Sequence, residues 1–282
     1  MPVILARNNY GKSRVRLMKV ARHGDRHDLQ EMTVDVAFEG DFEAAHTAGD
    51  NSLILPTDTM KNTVYALAKQ RPEVEEVEVF ALRLADHFLS RNPQTSRVII
   101  EIAESTWRRI EVGGRSHQHS FLKHGDEKRT ARVEATRAGT TVTAGLSDLV
   151  VLKTAKSGFS GYLKDQFTTL KETTDRIFAT AVRADWLYSH SEAAHGPVWV
   201  GVRQTLLETF AEHDSLSVQQ TLYAMGEAVL ENFEEIVEIS LSLPNKHCLL
   251  ADLSRFGIEN HNEIFVPTDE PHGLIEAKLK RN

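Results

Sequence analysis

The sequence has almost no cysteine: Cys248 is the only one among 282 residues. A single cysteine excludes an internal disulfide and a structural zinc site built from several cysteines. No apolar run is long enough to span a membrane, and the apolar run after Met1 is too short for a signal peptide. We therefore expect a protein of the reducing cytoplasm that has no contact with a membrane.

The sequence also lacks a block of basic residues, and its formal net charge is -7. Nucleic acid is therefore an unexpected partner. Glycine-rich loops of the dinucleotide-binding or P-loop type are absent as well, so no cofactor motif is visible. An anionic ligand would need a local group of cations to overcome the negative field of the chain.

The order of secondary-structure elements repeats in the two halves of the chain. Each half reads as strand, strand, helix, helix, strand, strand, although residues 167–188 carry no clear pattern. The predicted helices span residues 58–70, 74–90, 198–212 and 216–232. This order predicts an α+β fold, with paired helices covering one face of an antiparallel sheet. We place the two repeats at residues 1–138 and 139–282.

The other face of the sheet is expected to be polar. In the predicted strand at residues 237–243, Val237, Ile239 and Leu241 alternate with Glu238 and Ser240. Glu238 and Ser240 are too polar to pack a dry core, so closure into a barrel by oligomerisation is a plausible use of this face.

The segment around Pro56 predicts a helix start. Residues 53–55 are apolar and strand-like, and Thr57 and Asp58 follow the proline where a helical spacing begins. Threonine and aspartate are preferred at helix starts, where backbone N–H groups also bind anions. Taken alone, the pattern favours a simple helix cap by Thr57 over an anion site.

Several segments together resemble the urate oxidase family, and they occur in the family's order from one end of the chain to the other. They include Tyr10-Gly11-Lys12, Asp50-Asn51-Ser52, Thr57-Asp58-Thr59, Asp175-Arg176, Ser217-Val218-Gln219 and Pro244-Asn245-Lys246-His247. The resemblance implies tandem T-fold repeats and a barrel- or tunnel-shaped homotetramer with active sites at subunit interfaces.

The resemblance also implies how urate is held. Arg176 would give a bidentate fork to one edge, Gln219 and the backbone N–H of Val218 would bind the same side, and Phe159 would stack on the ring. Without the resemblance, we would interpret Arg176 as a surface charge, Gln219 as a polar residue at a helix start and Phe159 as a core aromatic. The opposite edge would meet Thr57 from another subunit, together with the backbone N–H of Asp58.

A proton relay of Lys12, Thr57 and His247 is the catalytic set that the resemblance implies. Lysine is a poor base at neutral pH, because its reference pKa is about 10.4, but desolvation eases proton loss. Asn245 would hold dioxygen or the attacking water, and it would share a face with His247 if that segment is extended. Pro244 is expected to end the strand pairing just before them.

The predicted reaction converts urate, dioxygen and water to 5-hydroxyisourate and hydrogen peroxide without a cofactor. We predict no metal, because His117 and His119 share a strand face without a clear third ligand. Two alternatives stay open: a T-fold enzyme acting on pterins with zinc, and a purine-binding protein without catalysis. The ending Lys280-Arg281-Asn282 lacks the peroxisomal Ser-Lys-Leu signal, which favours a bacterial, cytoplasmic protein.

Overall fold

The computed structural model describes residues 3–282, and its elements follow the predicted order. The first half contains β1 (Tyr10–His23), β2 (Arg26–Gly40), α1 (Glu43–Thr47), α2 (Thr57–Gln70), α3 (Val77–Arg91), β3 (Thr95–Val112) and β4 (Arg115–Thr136). The second half contains β5 (Gly139–Lys153), β6 (Phe178–Tyr188), α4 (His195–Glu212), α5 (Val218–Asn232), β7 (Ile236–Leu250) and β8 (Phe265–Lys280). A short 3₁₀ helix, Ser254–Phe256, precedes β8.

The strands form one eight-stranded sheet in the order β1 to β8. The pairs β1–β2, β2–β3, β3–β4 and β7–β8 are antiparallel. The α+β fold with an antiparallel sheet is therefore confirmed. Closure into a barrel and assembly into a tetramer stay predictions.

The chain divides into two compact units. Unit 1 comprises Met1–Gly145 and Leu187–Gly196, and unit 2 comprises Leu146–Trp186 and Pro197–Asn282. These units do not test the internal repetition of the fold. The two repeats at residues 1–138 and 139–282 therefore stay a prediction.

The core of unit 1 lies between one face of the sheet and helices α2 and α3. Along β2, alternate residues such as Val34 and Phe38 are buried, and α3 buries a stripe that includes Phe80 and Leu84. Each such side chain stabilises the fold by about 1.5–3 kcal/mol relative to exposure. Apolar residues recur at every second position in the strand and at every third or fourth position in the helix. Each element therefore has one apolar face, and the two faces pack together.

A buried ion pair adds a polar link to this core. Arg129 on β4 donates from Nη2 to Glu78 Oε2 on α3 at 2.6 Å, and the Glu78 side chain is fully buried. Burial raises the pKa of Glu78, and the charge and hydrogen bonds of Arg129 oppose that rise. The pair therefore fixes the start of α3 against β4, since a buried carboxylate needs its partner.

Two expectations from the sequence are wrong at the level of local structure, and one short helix was not predicted. Residues 53–55 form no strand: Ile54 N donates to Asn51 O at 3.0 Å in a turn, and Leu53 is 41% exposed. Helix α1 was not expected, because five residues are too few for a visible helical period.

Pro244 does not end the pairing of β7, contrary to the expectation from the sequence. It lies opposite Leu274 in the β7–β8 ladder, and the strand continues to Leu250. The register shifts between Asn245 and His247. Proline is tolerated beside such irregularities, because part of the regular ladder is already missing there.

Residues 3–282 contain no helix with the length and apolar character needed to cross a bilayer. The cytoplasmic location stays a prediction.

Candidate active site

The start of helix α2 presents uncapped backbone N–H groups. Pro56 is the N-cap residue, Thr57 is the first helical residue, and no side chain caps the helix. The Asp58 carboxylate instead binds Lys61 and accepts from Asn62 Nδ2 at 2.9 Å. The expectation that Thr57 merely caps the helix is therefore wrong. N–H groups in the first turn remain available, and the helix dipole favours an anion there.

Lys12 lies on β1 close to this helix start. It is opposite Val36, a buried residue of β2, so its side chain leaves the sheet on the face that the helices cover. The pKa of Asp58 is below its usual value mainly because Lys61 donates a hydrogen bond to it, and the charge of Lys12 adds to the effect. The structure thus brings Lys12 and the start of α2 together.

Tyr10 connects the two parts of this half-site. Its hydroxyl accepts from Leu55 N at 2.9 Å, two residues before Thr57. Its ring packs edge-on against Phe42, with 4.7 Å between the ring centroids. Burial raises the pKa of Tyr10, although the bond from Leu55 opposes the rise. Since Tyr10 and Lys12 are two residues apart, the strand carrying Lys12 is fixed to the loop that leads into Thr57.

In unit 2, a half-buried arginine lies over an aromatic ring. The Cζ of Arg176 is 5.4 Å from the ring centroid of Phe159, and Phe159 stacks on Tyr162 at 4.8 Å. The Nε of Arg176 is buried without a hydrogen-bond partner among the described residues. Burial lowers the pKa of the Arg176 guanidinium. A desolvated cation with an unused donor beside a flat ring is an arrangement that suits a planar anion.

Backbone hydrogen bonds join Phe159 to the segments that carry the other ligand-binding candidates of unit 2. Phe159 N donates to Thr173 O at 2.7 Å, three residues before Arg176. Gly158 N donates to Ser215 O at 2.8 Å, just before α5. The Oγ of Ser217 then caps α5 by accepting from Gln220 N at 3.1 Å. Phe159, Arg176 and the start of α5 are thereby held in one region.

The start of α5 carries Val218 and Gln219, and β7 carries Asn245 and His247. Val218 is buried and Gln219 is exposed. β7 runs through both Asn245 and His247, and its ladder register shifts between them, so the shared face of the two side chains stays a prediction.

A cavity of about 430 Å³ adjoins Arg176 within unit 2. Cys248, the residue after His247, lines the same cavity together with Phe265. The cavity therefore extends from Arg176 to the C-terminal end of β7.

The predicted site residues thus fall into two sets. Unit 1 carries Lys12, Thr57 and Asp58, and unit 2 carries Phe159, Arg176, Val218, Gln219, Asn245 and His247. Among the residues that the structure describes, no three or more His, Cys, Asp or Glu side chains are grouped to hold a metal ion. His117 and His119 lie with ring centroids 4.7 Å apart on β4.

Fold and site together define an α+β protein of two helix-backed units, with an arginine–aromatic pair that suits a planar anion. The sequence model of the uricase family matches residues 8–134 and 142–276. A uricase of Arthrobacter globiformis is 46% identical over 279 residues, which cover 99% of this chain and 90% of that protein. A uricase of Oryctolagus cuniculus is 40% identical over 286 residues, with 99% and 95% covered.

A solved structure agrees with these sequence matches. The crystal structure of uricase from Arthrobacter globiformis aligns with a TM-score of 0.95 at 46% identity, covering 100% of this chain and 96% of that chain. The chain belongs to the uricase family.

Proposed function

We propose that the protein oxidises urate with dioxygen and water, giving 5-hydroxyisourate and hydrogen peroxide. Urate loses two electrons and dioxygen gains them together with two protons, so atoms and electrons balance without a further reactant. The observation that carries the proposal is the half-buried Arg176 above Phe159, with its Nε left without a partner in the described structure. Membership of the uricase family supports it over the whole chain.

One edge of urate is held by unit 2 in this proposal. The guanidinium of Arg176 donates two parallel hydrogen bonds, which match neighbouring acceptors on a purine edge. Gln219 both donates and accepts through its amide, and the N–H of Val218 adds a donor at the start of α5. Phe159 supplies the flat apolar surface. These interactions position the ring and neutralise its charge.

The opposite edge is held by the start of α2. Uncapped N–H groups at Thr57 and Asp58 face the purine, where the positive end of the helix dipole favours the urate anion. The family resemblance implies that these groups come from another subunit, in which case a complete site requires two chains. We therefore propose a homotetramer with its active sites at subunit interfaces.

Proton transfer is assigned to Lys12, Thr57 and His247. The Lys12 amine takes a proton through the Thr57 hydroxyl, and Thr57 exchanges protons with a water above the ring. His247 holds or returns a proton. The Asn245 amide holds dioxygen, and later the attacking water, over the same face of urate.

An assay with metal-free protein tests the proposal. We expect the full chain, after treatment with a chelator and removal of metals, to consume urate and release one hydrogen peroxide per urate at the untreated rate. Urate absorbance and a peroxide-coupled assay measure the two quantities. If activity required an added metal or flavin, the cofactor-free mechanism would be wrong. Binding of urate without turnover would show a purine-binding protein instead.

Mixing two inactive variants tests whether the site is shared between chains. Lys12→Met disables the half-site of unit 1, and Arg176→Ala disables that of unit 2. If the halves of one site come from different chains, co-expressed variants form some sites in which both halves are intact. We expect activity to return in the mixed oligomer, measured against each variant alone. A mixture as inactive as its parts would place both halves on one chain.

A further inference from the structure

Strand β1 changes its pairing register directly after Lys12. Lys12 lies opposite Val36, but the next paired residue, Val15, lies opposite Val34. Ser13 and Arg14 therefore share one opposing position, which is occupied by Asp35. Two residues against one is the definition of a β-bulge, and bulges redirect side chains next to functional sites.

The bulge decides which face of the sheet Lys12 occupies. Val15 lies opposite a buried residue of β2, so the odd-numbered residues of β1 from Val15 onward face the helices. Before the bulge the even-numbered residues do so: Tyr10 is opposite buried Phe38, as Lys12 is opposite Val36. One extra residue in a strand moves every earlier side chain to the other face. Without the bulge, Lys12 would point away from the start of α2.

Asp35 holds the bulge by a hydrogen bond to its backbone. Its Oδ1 accepts from Arg14 N at 2.6 Å. Arg14 lies outside the regular ladder register, so this bond gives its N–H a partner. Arg14 has a φ of 58°, a left-handed conformation that is strained for a residue other than glycine. Such a conformation persists only where the surroundings support it, and the hydrogen bond from Arg14 N to Asp35 is a contact that acts at this position.

We infer that Asp35 is a positioning residue for Lys12: it fixes the bulge at Ser13 and Arg14 and thereby keeps the Lys12 amine beside Thr57. This inference rests on the proposed role of Lys12 as the proton acceptor. The carboxylate of Asp35 acts on the backbone and does not contact urate.

Three variants of position 35 separate the hydrogen bond from the charge. Asp35→Ala is expected to lower kcat by about 10- to 100-fold with little change in KM, because a small displacement of a catalytic group is costly. Asp35→Asn keeps an Oδ1 acceptor without the charge, so its kcat should stay close to that of the wild type. Asp35→Val also lacks the acceptor, and valine is favoured in strands. If the alanine variant does not fold, the valine variant replaces it, and the same loss of kcat is expected.

Two double variants test whether Asp35 acts through the bulge and through Lys12. Adding Arg14→Gly to Asp35→Ala should restore most of kcat, since glycine adopts a positive φ without strain. Adding Asp35→Ala to Lys12→Met should cause no further loss, because a group that acts only through Lys12 has nothing left to position. Asp252→Ala removes a comparable carboxylate, which accepts from Ser254 N at 3.0 Å, and should leave kcat unchanged.

The results separate this inference from the proposed function. An unchanged kcat in Asp35→Ala would overturn the inference, and so would an equal loss in Asp35→Asn, which would point to the charge. Additive losses in the double variant with Lys12→Met would show a role independent of Lys12. By contrast, wild-type protein that does not oxidise urate, or full activity in Lys12→Met, would overturn the proposed function itself.

Discussion

Lys12→Met is expected to lower kcat for urate oxidation by about 10²–10⁴-fold while KM changes far less, since general acid–base groups contribute on that scale. Methionine keeps the unbranched stem of lysine and removes only the amine. Lys12 lies on the helix-covered face of β1, where the charge of its amine acts on Asp58 at the start of α2. The amine is thus placed to take a proton, while the groups proposed to bind the other edge of urate are on unit 2.

Steady-state kinetics at several pH values checks this prediction. If the amine at position 12 takes the proton, the limb of the pH–rate profile that depends on it should be missing in Lys12→Met. Lys19→Met is the matched control: Lys19 lies on the same strand and donates to the backbone O of Glu73, which follows the C-terminal end of α2. A kcat equal to that of the control would contradict the relay.

The helices and most strands were predictable from the sequence because their periods are local. In α3, the apolar residues Val77, Phe80, Leu84 and Phe88 recur at helical spacing, and all four are buried. The buried face of β2, which includes Val34, follows from the same kind of local period, with alternate residues buried. In these elements burial against the sheet or helices follows from the pattern alone.

The arrangement around Phe159 was not predictable from local pattern. Its place depends on backbone bonds to distant segments, such as the bond from Gly158 N to Ser215 O. The functional reading of Phe159 and Arg176 came from family resemblance, because an isolated arginine and phenylalanine carry no period. The partnerless Nε of Arg176 is visible only once the chain is folded.

The register breaks beside Lys12 and His247 were missed for a related reason. No glycine marks the bulge at Ser13 and Arg14, although positive φ favours glycine. Pro244 gave a misleading signal, because the rule that proline ends a strand ignores the irregularity next to it. No sequence pattern marks Asp35, and only the pairing of β2 with β1 shows its contact with Arg14.

Arg176→Ala is expected to raise KM for urate by about 10²–10³-fold, because two charge-assisted hydrogen bonds to the substrate are lost. Binding of a non-reacting purine analogue should weaken by a similar factor in an equilibrium titration. Arg176→Lys should recover only part of the affinity, since an ammonium group restores the charge but not the planar fork. Arg183→Ala is the control, because Arg183 is an exposed arginine of the same unit that pairs with Asp185.

The thermal stability of Arg176→Ala shows whether the arginine serves binding or folding. Burial lowers the pKa of Arg176, and its Nε has no partner among the described residues, so the folded chain gains little from the charge without a ligand. We therefore expect an unchanged or higher Tm in Arg176→Ala, since binding groups are often held at a cost to stability. A lower Tm with unchanged KM would mark Arg176 as structural. Equal losses of affinity in Lys12→Met and Arg176→Ala would contradict the separation of proton transfer in unit 1 from urate binding in unit 2.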